Sequence, residues 1–131
     1  FLAGLTSAWL LPPGSKEPGL SISAYEQIDF MKKLWNAPLP VSTRSQPLAQ
    51  DITYIETSPK GFKLSGKTGS NTYAQNPKLR LGWFISHLKN GDQEYITVAN
   101  FSDIEPPTDK ISGGIKAKQT TQQILTDMGL W

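Results

Sequence analysis

Cysteine is absent from the 131 residues, and histidine occurs once, as His87. The first absence removes disulfides, thiolate metal sites and cysteine nucleophiles together. The second argues against a histidine-built metal centre and against a Ser-His-Asp triad, so any catalytic base here is another residue type. No metal or cofactor is expected. No apolar run approaches the roughly 18 residues that a membrane crossing requires. The start, FLAGLTSAWLLPPG, has neither the cationic leader of a signal peptide nor an initiator methionine, so Phe1 reads as a cut end.

What is present is the composition of one soluble globular domain, 37% hydrophobic with 18% charged residues, enough to bury a core. The net charge of +2 is too small to point to nucleic acid. It is unevenly spread, however. Between Thr57 and Gly91 stand Lys60, Lys63, Lys67, Lys78, Arg80 and Lys89 with no aspartate or glutamate. That segment should attract anions, the plainer alternative being a solvated basic hairpin.

Ser23 followed three residues later by Glu26 has capping-box spacing, and Tyr25, Ile28, Met31 and Leu34 then recur on one apolar face of a helix that ends at Ala37-Pro38. A weaker helix is expected over residues 45–56. The pattern then turns to period two, with Phe62, Leu64 and Gly66 alternating with Lys63, Ser65 and Lys67 as on a strand. A polar loop over residues 70–77 leads to a strand over 79–88. Asn90-Gly91 predicts a type I′ hairpin, and the returning strand covers 93–101. After a loop to Gly114, a closing helix is expected over 115–128, burying Ile115, Ile124, Leu125 and Met128. The order predicted is helix, helix, three antiparallel strands, helix.

The stretch GFKLSGKTG, from Gly61 to Gly69, admits two readings. Gly61, Gly66, Lys67 and Thr68 have the spacing of a phosphate-binding P-loop. Such a loop needs a flexible cradle and a helix beginning at Lys-Thr; here a strand precedes and GSNTYAQNP follows, so nucleotide binding is the distant alternative. Lys67-Thr68-Gly69 is also the KTG signature of penicillin-recognising serine enzymes, which sits on an edge strand followed by a hairpin.

LSISAYEQIDFMKKL, GKTGS and LGWFIS at these separations resemble the C-terminal half of class D β-lactamases (oxacillinases) and the closely similar penicillin-sensor domains. The resemblance runs with gaps from about Trp9 to Trp131. It implies an α/β (α+β) fold, an antiparallel sheet flanked by helices of the β-lactamase/transpeptidase kind, of which residues 1–131 are the C-terminal portion. The S-x-x-K, S-x-V and Y-G-N motifs of the complete domain are absent, which places nucleophile and base before Phe1. Ser86-His87-Leu88-Lys89 fits S-x-x-K by letter only, since residues three apart on a strand face opposite ways.

Carried over position by position, the resemblance makes Lys67 the source of the local positive field and Thr68 a hydrogen-bond donor to the substrate carboxylate. Gly69 allows close backbone approach, and the Ser70 amide becomes an oxyanion donor. Lys116, or Lys118, stands where many oxacillinases have an arginine for the same carboxylate, and a lysine cannot form that planar clamp. The plainer reading of Lys67 is a surface lysine on an edge strand. The implied function is hydrolysis of β-lactams through an acyl-enzyme, in a periplasmic or secreted setting, the isolated chain being inactive. A penicillin sensor or inactive homologue is the alternative. A half-sheet leaves an open edge and an uncovered apolar face, so the chain is expected to dimerise, exchange a strand or associate with the missing N-terminal half.

Overall fold

Ser23 opens the first helix as its spacing predicts. The Glu26 amide donates to Ser23 Oγ at 3.2 Å and the Ser23 amide donates to the Glu26 carboxylate at 2.7 Å, a complete capping box for α1 (Ala24–Asn36). The computed structural model describes residues 22–72 and 76–131; the opening stretch with Trp9, and residues 73–75 of the predicted polar loop, lie outside the described residues. The buried side of α1 is Gln27, Met31 and Leu34, while Tyr25 is 82% exposed. A step of three residues falls short of a 3.6-residue turn, so the predicted stripe drifts, and the sheet takes the residues at i, i+4 and i+7.

α2 (Ser45–Ile52) is held against the end of α1 by glutamines. Gln46 Nε2 donates to the carbonyls of Leu34 and Ala37, and Gln50 Nε2 also donates to that of Leu34, satisfying oxygens a helix end leaves open. α2 stops at Ile52 and not at Glu56 as predicted. Thr53 Oγ1 bonds back to the Ala49 and Gln50 carbonyls, and Tyr54-Ile55-Glu56-Thr57, aromatic and β-branched, goes into strand β1 (Tyr54–Thr57).

The sheet therefore has four antiparallel strands where three were predicted, in the order β1-β2-β3-β4, with β2 (Lys63–Thr72), β3 (Arg80–Asn90) and β4 (Gln93–Ser102). β2 outruns its predicted end: Ser70, Asn71 and Thr72 pair with Gly82, Leu81 and Arg80. The hairpin differs too. Asn90 pairs with Gln93, so Gly91 and Asp92 form the turn, and only Gly91 has positive φ, at 56°, the pattern of a type II′ turn with glycine first.

The two sheet faces are covered by different helices. On one, α3 (Gly113–Asp127) sets Ala117 and Leu125 against Phe62, Leu64, Phe84 and Leu88. Of the four residues predicted to be buried on this helix only Leu125 is; Ile115, Ile124 and Met128 are 49%, 52% and 62% exposed. The residues that fit are small, Gly113, Gly114, Ala117 and Thr121, because α3 lies close on the sheet and its contact stripe admits little volume. On the other face α1 and α2 cover Ile85, Trp83, Ile96 and Val98.

That second face carries a buried titratable pair. His87 is 2% exposed, its ring stacked 3.8 Å from that of Trp35 on α1, and its Nε2 donates to Glu94 at 2.5 Å. Burial pushes the His87 pKa below 6.5 against the pull of Glu94, and the His87 hydrogen bond holds Glu94 below the usual glutamate range. Both groups thus bind protons more readily unfolded than folded. Their contribution is complete above the unfolded histidine value of 6.5 and is lost as pH falls, first through His87 and then through Glu94. Urea midpoints should fall between pH 7.5 and pH 5, and His87→Gln should flatten that dependence.

Candidate functional site

The open side of β2 follows from its hydrogen bonds. The Gly66 amide donates to the Thr53 carbonyl at 2.8 Å, and the Phe62 carbonyl accepts from Ser58, so the even-numbered residues of β2 direct their backbone groups toward β1. Alternation along a strand turns the Thr68 and Ser70 backbone groups the same way. β1 pairs only as far as Ser65, and among the described residues no strand pairs with that side of β2 beyond Gly66. The Ser70 amide therefore stands at an open edge, while Lys67 and Gly69 face β3 through Ile85 and Trp83.

Lys67 reaches the same edge from the α1 side. Its Nζ donates to the Thr68 carbonyl at 2.6 Å, and its stem lines an apolar groove of about 480 Å³ between α1, α2 and the sheet, with Met31, Leu34, Ala49, Ile52 and Ile85 among the walls. The ammonium is exposed and forms no salt bridge among the described residues. An open backbone donor and a lysine at one rim suit a ligand carrying a carbonyl or carboxylate beside apolar groups.

Glycines that the sequence reading left in a loop hold this segment in place. A Cβ on Gly114 would lie 2.7 Å from the Gly69 carbonyl and 2.9 Å from Thr68 Cβ, and one on Gly82 would lie 2.2 Å from the Gly113 carbonyl. Backbone meets backbone here, and the Gly114 amide donates to Ser70 Oγ at 2.8 Å. Gly66 has a similar constraint, its Cβ position being 2.6 Å from the Ile85 carbonyl. The signal was present as Gly113-Gly114 directly before a helix, but only the packing shows what the two glycines approach.

The other predicted residues divide between the faces. Thr68 and Ser70 point toward α3, as does Lys116, whereas Lys67 lies on the α1 face, so the two lysine side chains are on opposite sides of the sheet. Lys116 Nζ sits 3.7 Å from Asp109 and 5.9 Å over the Phe101 ring. Lys118 donates to Glu56 at 3.0 Å and ties α3 to β1. Arg80, read only as part of the basic segment, anchors the loop before α3: its guanidinium forks onto Asp103 at 2.7 and 3.2 Å and reaches Asp109 at 2.6 Å. Those bonds hold both carboxyls below their usual pKa and raise that of Arg80.

Two letter-level motifs fail on geometry. Ser86 is fully buried against Thr97, 2.6 Å between hydroxyl oxygens, and Lys89 faces the other side of β3. Lys63–Thr72 is a continuous strand and no helix begins at Lys67-Thr68, which excludes the P-loop.

A profile of the penicillin binding protein transpeptidase domain matches residues 2–126. The chain belongs to that family. Among transpeptidase-family relatives, β-lactamase OXA-1 of Escherichia coli is 32% identical over 129 residues, 97% of this chain and 43% of that protein. The C-terminal domain of the Bacillus licheniformis BlaR penicillin receptor matches the structure with a TM-score of 0.74 at 25% identity, over 88% of this chain and 44% of that one. The class D β-lactamase OXA-427 matches with a TM-score of 0.70 at 26% identity, over 94% and 49%. The fold is thus the β-lactamase/transpeptidase one expected, and the chain spans less than half the length of these relatives.

Proposed function

We propose that this chain is the C-terminal portion of a class D type serine β-lactamase domain, the part that carries the KTG strand. In this reading a serine and its base, supplied from outside these 131 residues, open the β-lactam amide. The serine oxygen bonds to the carbonyl carbon, the carbon–nitrogen bond breaks, and the serine proton passes through the base to the nitrogen. Water then hydrolyses the ester. The Ser70 amide stabilises the carbonyl oxygen as it becomes negative, Lys67 holds positive charge beside it, and Thr68 donates to the substrate carboxylate. Lys116, on the same face as Thr68, is the candidate second cation for that carboxylate. The observation that carries this reading is the Ser70 amide and Lys67 ammonium brought together at the open edge of β2.

The test is intact mass before and after benzylpenicillin, on this chain and on a longer version that includes an S-x-x-K helix. The expected result is no adduct on the first and an acyl adduct on the second; an adduct on this chain would place the nucleophile within it and overturn the division. A penicillin sensor is the second reading, favoured by the likeness to the BlaR domain. Persistence of the adduct for hours, against loss within seconds, separates sensor from hydrolase.

The apolar groove beside Lys67 and the open edge of β2 also support association, with a second copy or with the N-terminal half. Sedimentation at micromolar concentration should show more than a monomer, and a stable monodisperse monomer would count against it. Synthesis into the periplasm or outside the cell belongs to the same proposal; recovery from the periplasmic fraction of a producing bacterium checks it.

A further inference from the structure

Residues 103–112, between β4 and α3, contain no buried side chain, and Ile104 is 94% exposed. Packing therefore does not fix their path. Nor does a helix cap: among the described residues Ser112, at the N-cap position of α3, makes no side-chain capping bond. Yet this segment delivers Gly113 and Gly114 against Gly82, Gly69 and Ser70 with no room for a Cβ. A polar brace does the placing.

The brace is Arg80. It stands on β3 opposite Thr72, two residues before Gly82, so its side chain leaves the sheet on the face that α3 covers. Its Nε and Nη2 fork onto Asp103 at 2.7 and 3.2 Å, and its Nη1 donates to Asp109 at 2.6 Å and to the Ile111 carbonyl at 2.5 Å. Backbone completes the joint, the Arg80 amide donating to Asp103 at 3.1 Å and the Asp103 amide to the Arg80 carbonyl at 3.0 Å. The Arg80 and Asp103 side chains are 12% and 11% exposed, unlike the solvated ion pairs that contribute little. Lys116 lies 3.7 Å from the other Asp109 oxygen, so two cations balance two carboxylates and the cluster is complete without a ligand.

The grip on Ile111 comes just before Gly114, whose amide donates to Ser70 Oγ at 2.8 Å, and Ser70 is the register partner of Gly82. Contacts therefore close a ring from β3 through the loop and the start of α3 to β2 and back to β3. We propose that Arg80 is a positioning residue for the catalytic edge: by clamping the segment before α3 it sets Gly114, and through Gly114 it holds Ser70, whose amide faces the open side of β2. The role of Ser70 rests on the β-lactam reading, and the link from Arg80 to Ser70 rests on geometry alone. A planar guanidinium fixes direction as well as charge, which a lysine at this position would not do.

Arg80→Met, Arg80→Lys and Asp109→Asn test this, each in the longer version that includes an S-x-x-K helix and in this chain. In the longer version the rate of benzylpenicillin acylation is read by mass against concentration. Arg80→Met should lower the limiting rate by on the order of tenfold and leave the half-saturating concentration within about threefold, because the Ser70 amide acts on an oxyanion present only in the transition state. Arg80→Lys should recover little of that loss. Asp109→Asn cuts one grip at an exposed residue; it should show a smaller loss in the same direction, and it decides the matter if Arg80→Met does not fold. Ser70→Ala keeps the backbone amide but cuts the link to Gly114, so adding Arg80→Met to it should slow acylation by less than about twofold more. Unchanged limiting rates in Arg80→Met and Asp109→Asn, full recovery in Arg80→Lys, or an undiminished further loss on the Ser70→Ala background would overturn the proposal. In this chain, Arg80→Met and Asp109→Asn should shift the Ser70 and Gly114 amide signals in a nitrogen–proton NMR spectrum and leave that of Leu64 in place; unmoved Ser70 and Gly114 signals would refute the link. A longer parent that forms no adduct would refute the β-lactam reading, and the NMR result alone then decides whether Arg80 places Ser70.

Discussion

Phe84→Ala should cost about 3–5 kcal/mol of folding stability, a large share of the ~5–15 kcal/mol that holds a small domain together. Phe84 has no exposed surface, stands in the middle of β3, and joins the core between the sheet and α3. Its ring also lies under Gly66, so truncation opens a cavity directly beneath the strand that carries Lys67. Urea unfolding checks the magnitude. Ile124→Ala is the comparison: sequence periodicity places Ile124 in the core, yet it is 52% exposed, and its truncation should change stability by no more than about 0.5 kcal/mol. Equal losses at the two positions would mean that α3 is rotated from the arrangement described.

Lys67→Ala, introduced into a version of the domain that acylates, should slow acylation by on the order of 100-fold, the scale of losing one preorganised charge or donor beside a developing oxyanion. Lys67 is exposed, and among the described residues its side chain donates only to the neighbouring Thr68 carbonyl, so the variant should melt within a degree or two of the parent. Lys67→Arg keeps the charge and should retain more of the rate than alanine does. The time course of adduct formation by mass spectrometry gives the rate constant. An unchanged rate would make Lys67 an ordinary edge-strand lysine and would remove the main support for a catalytic edge on β2. A rate loss accompanied by a large fall in melting temperature would instead show that the side chain holds the strand.

Local chemistry made several elements legible in advance. Ser23 and Glu26 announce the start of α1 because a capping box is a short-range interaction between residues three apart. The alternation from Phe62 to Lys67 and the strand after Leu79 could be read because β periodicity is a two-residue pattern. The type of the hairpin turn could not, since Asn90-Gly91 fits one turn by composition and the cross-strand register selected another. The β1 strand was likewise hidden. Four residues rich in β-formers at the end of a helix-like stretch are ambiguous until β2 supplies their partner.

By itself the sequence determined the chemistry available: no thiol, one imidazole, a Lys-Thr-Gly segment on a strand, and a resemblance spread over enough separate motifs to indicate the family. Each of these depends on residue identity or on spacing within one element. Tertiary structure alone decided where those residues meet. It put Lys67 and Lys116 on opposite faces, turned the Ser70 amide to an open edge, set Lys63 beside Lys89, and selected glycine and alanine over isoleucine for the contact face of α3. These outcomes depend on strand register and on how closely a helix can lie on a sheet, quantities set by contacts between residues far apart in the chain.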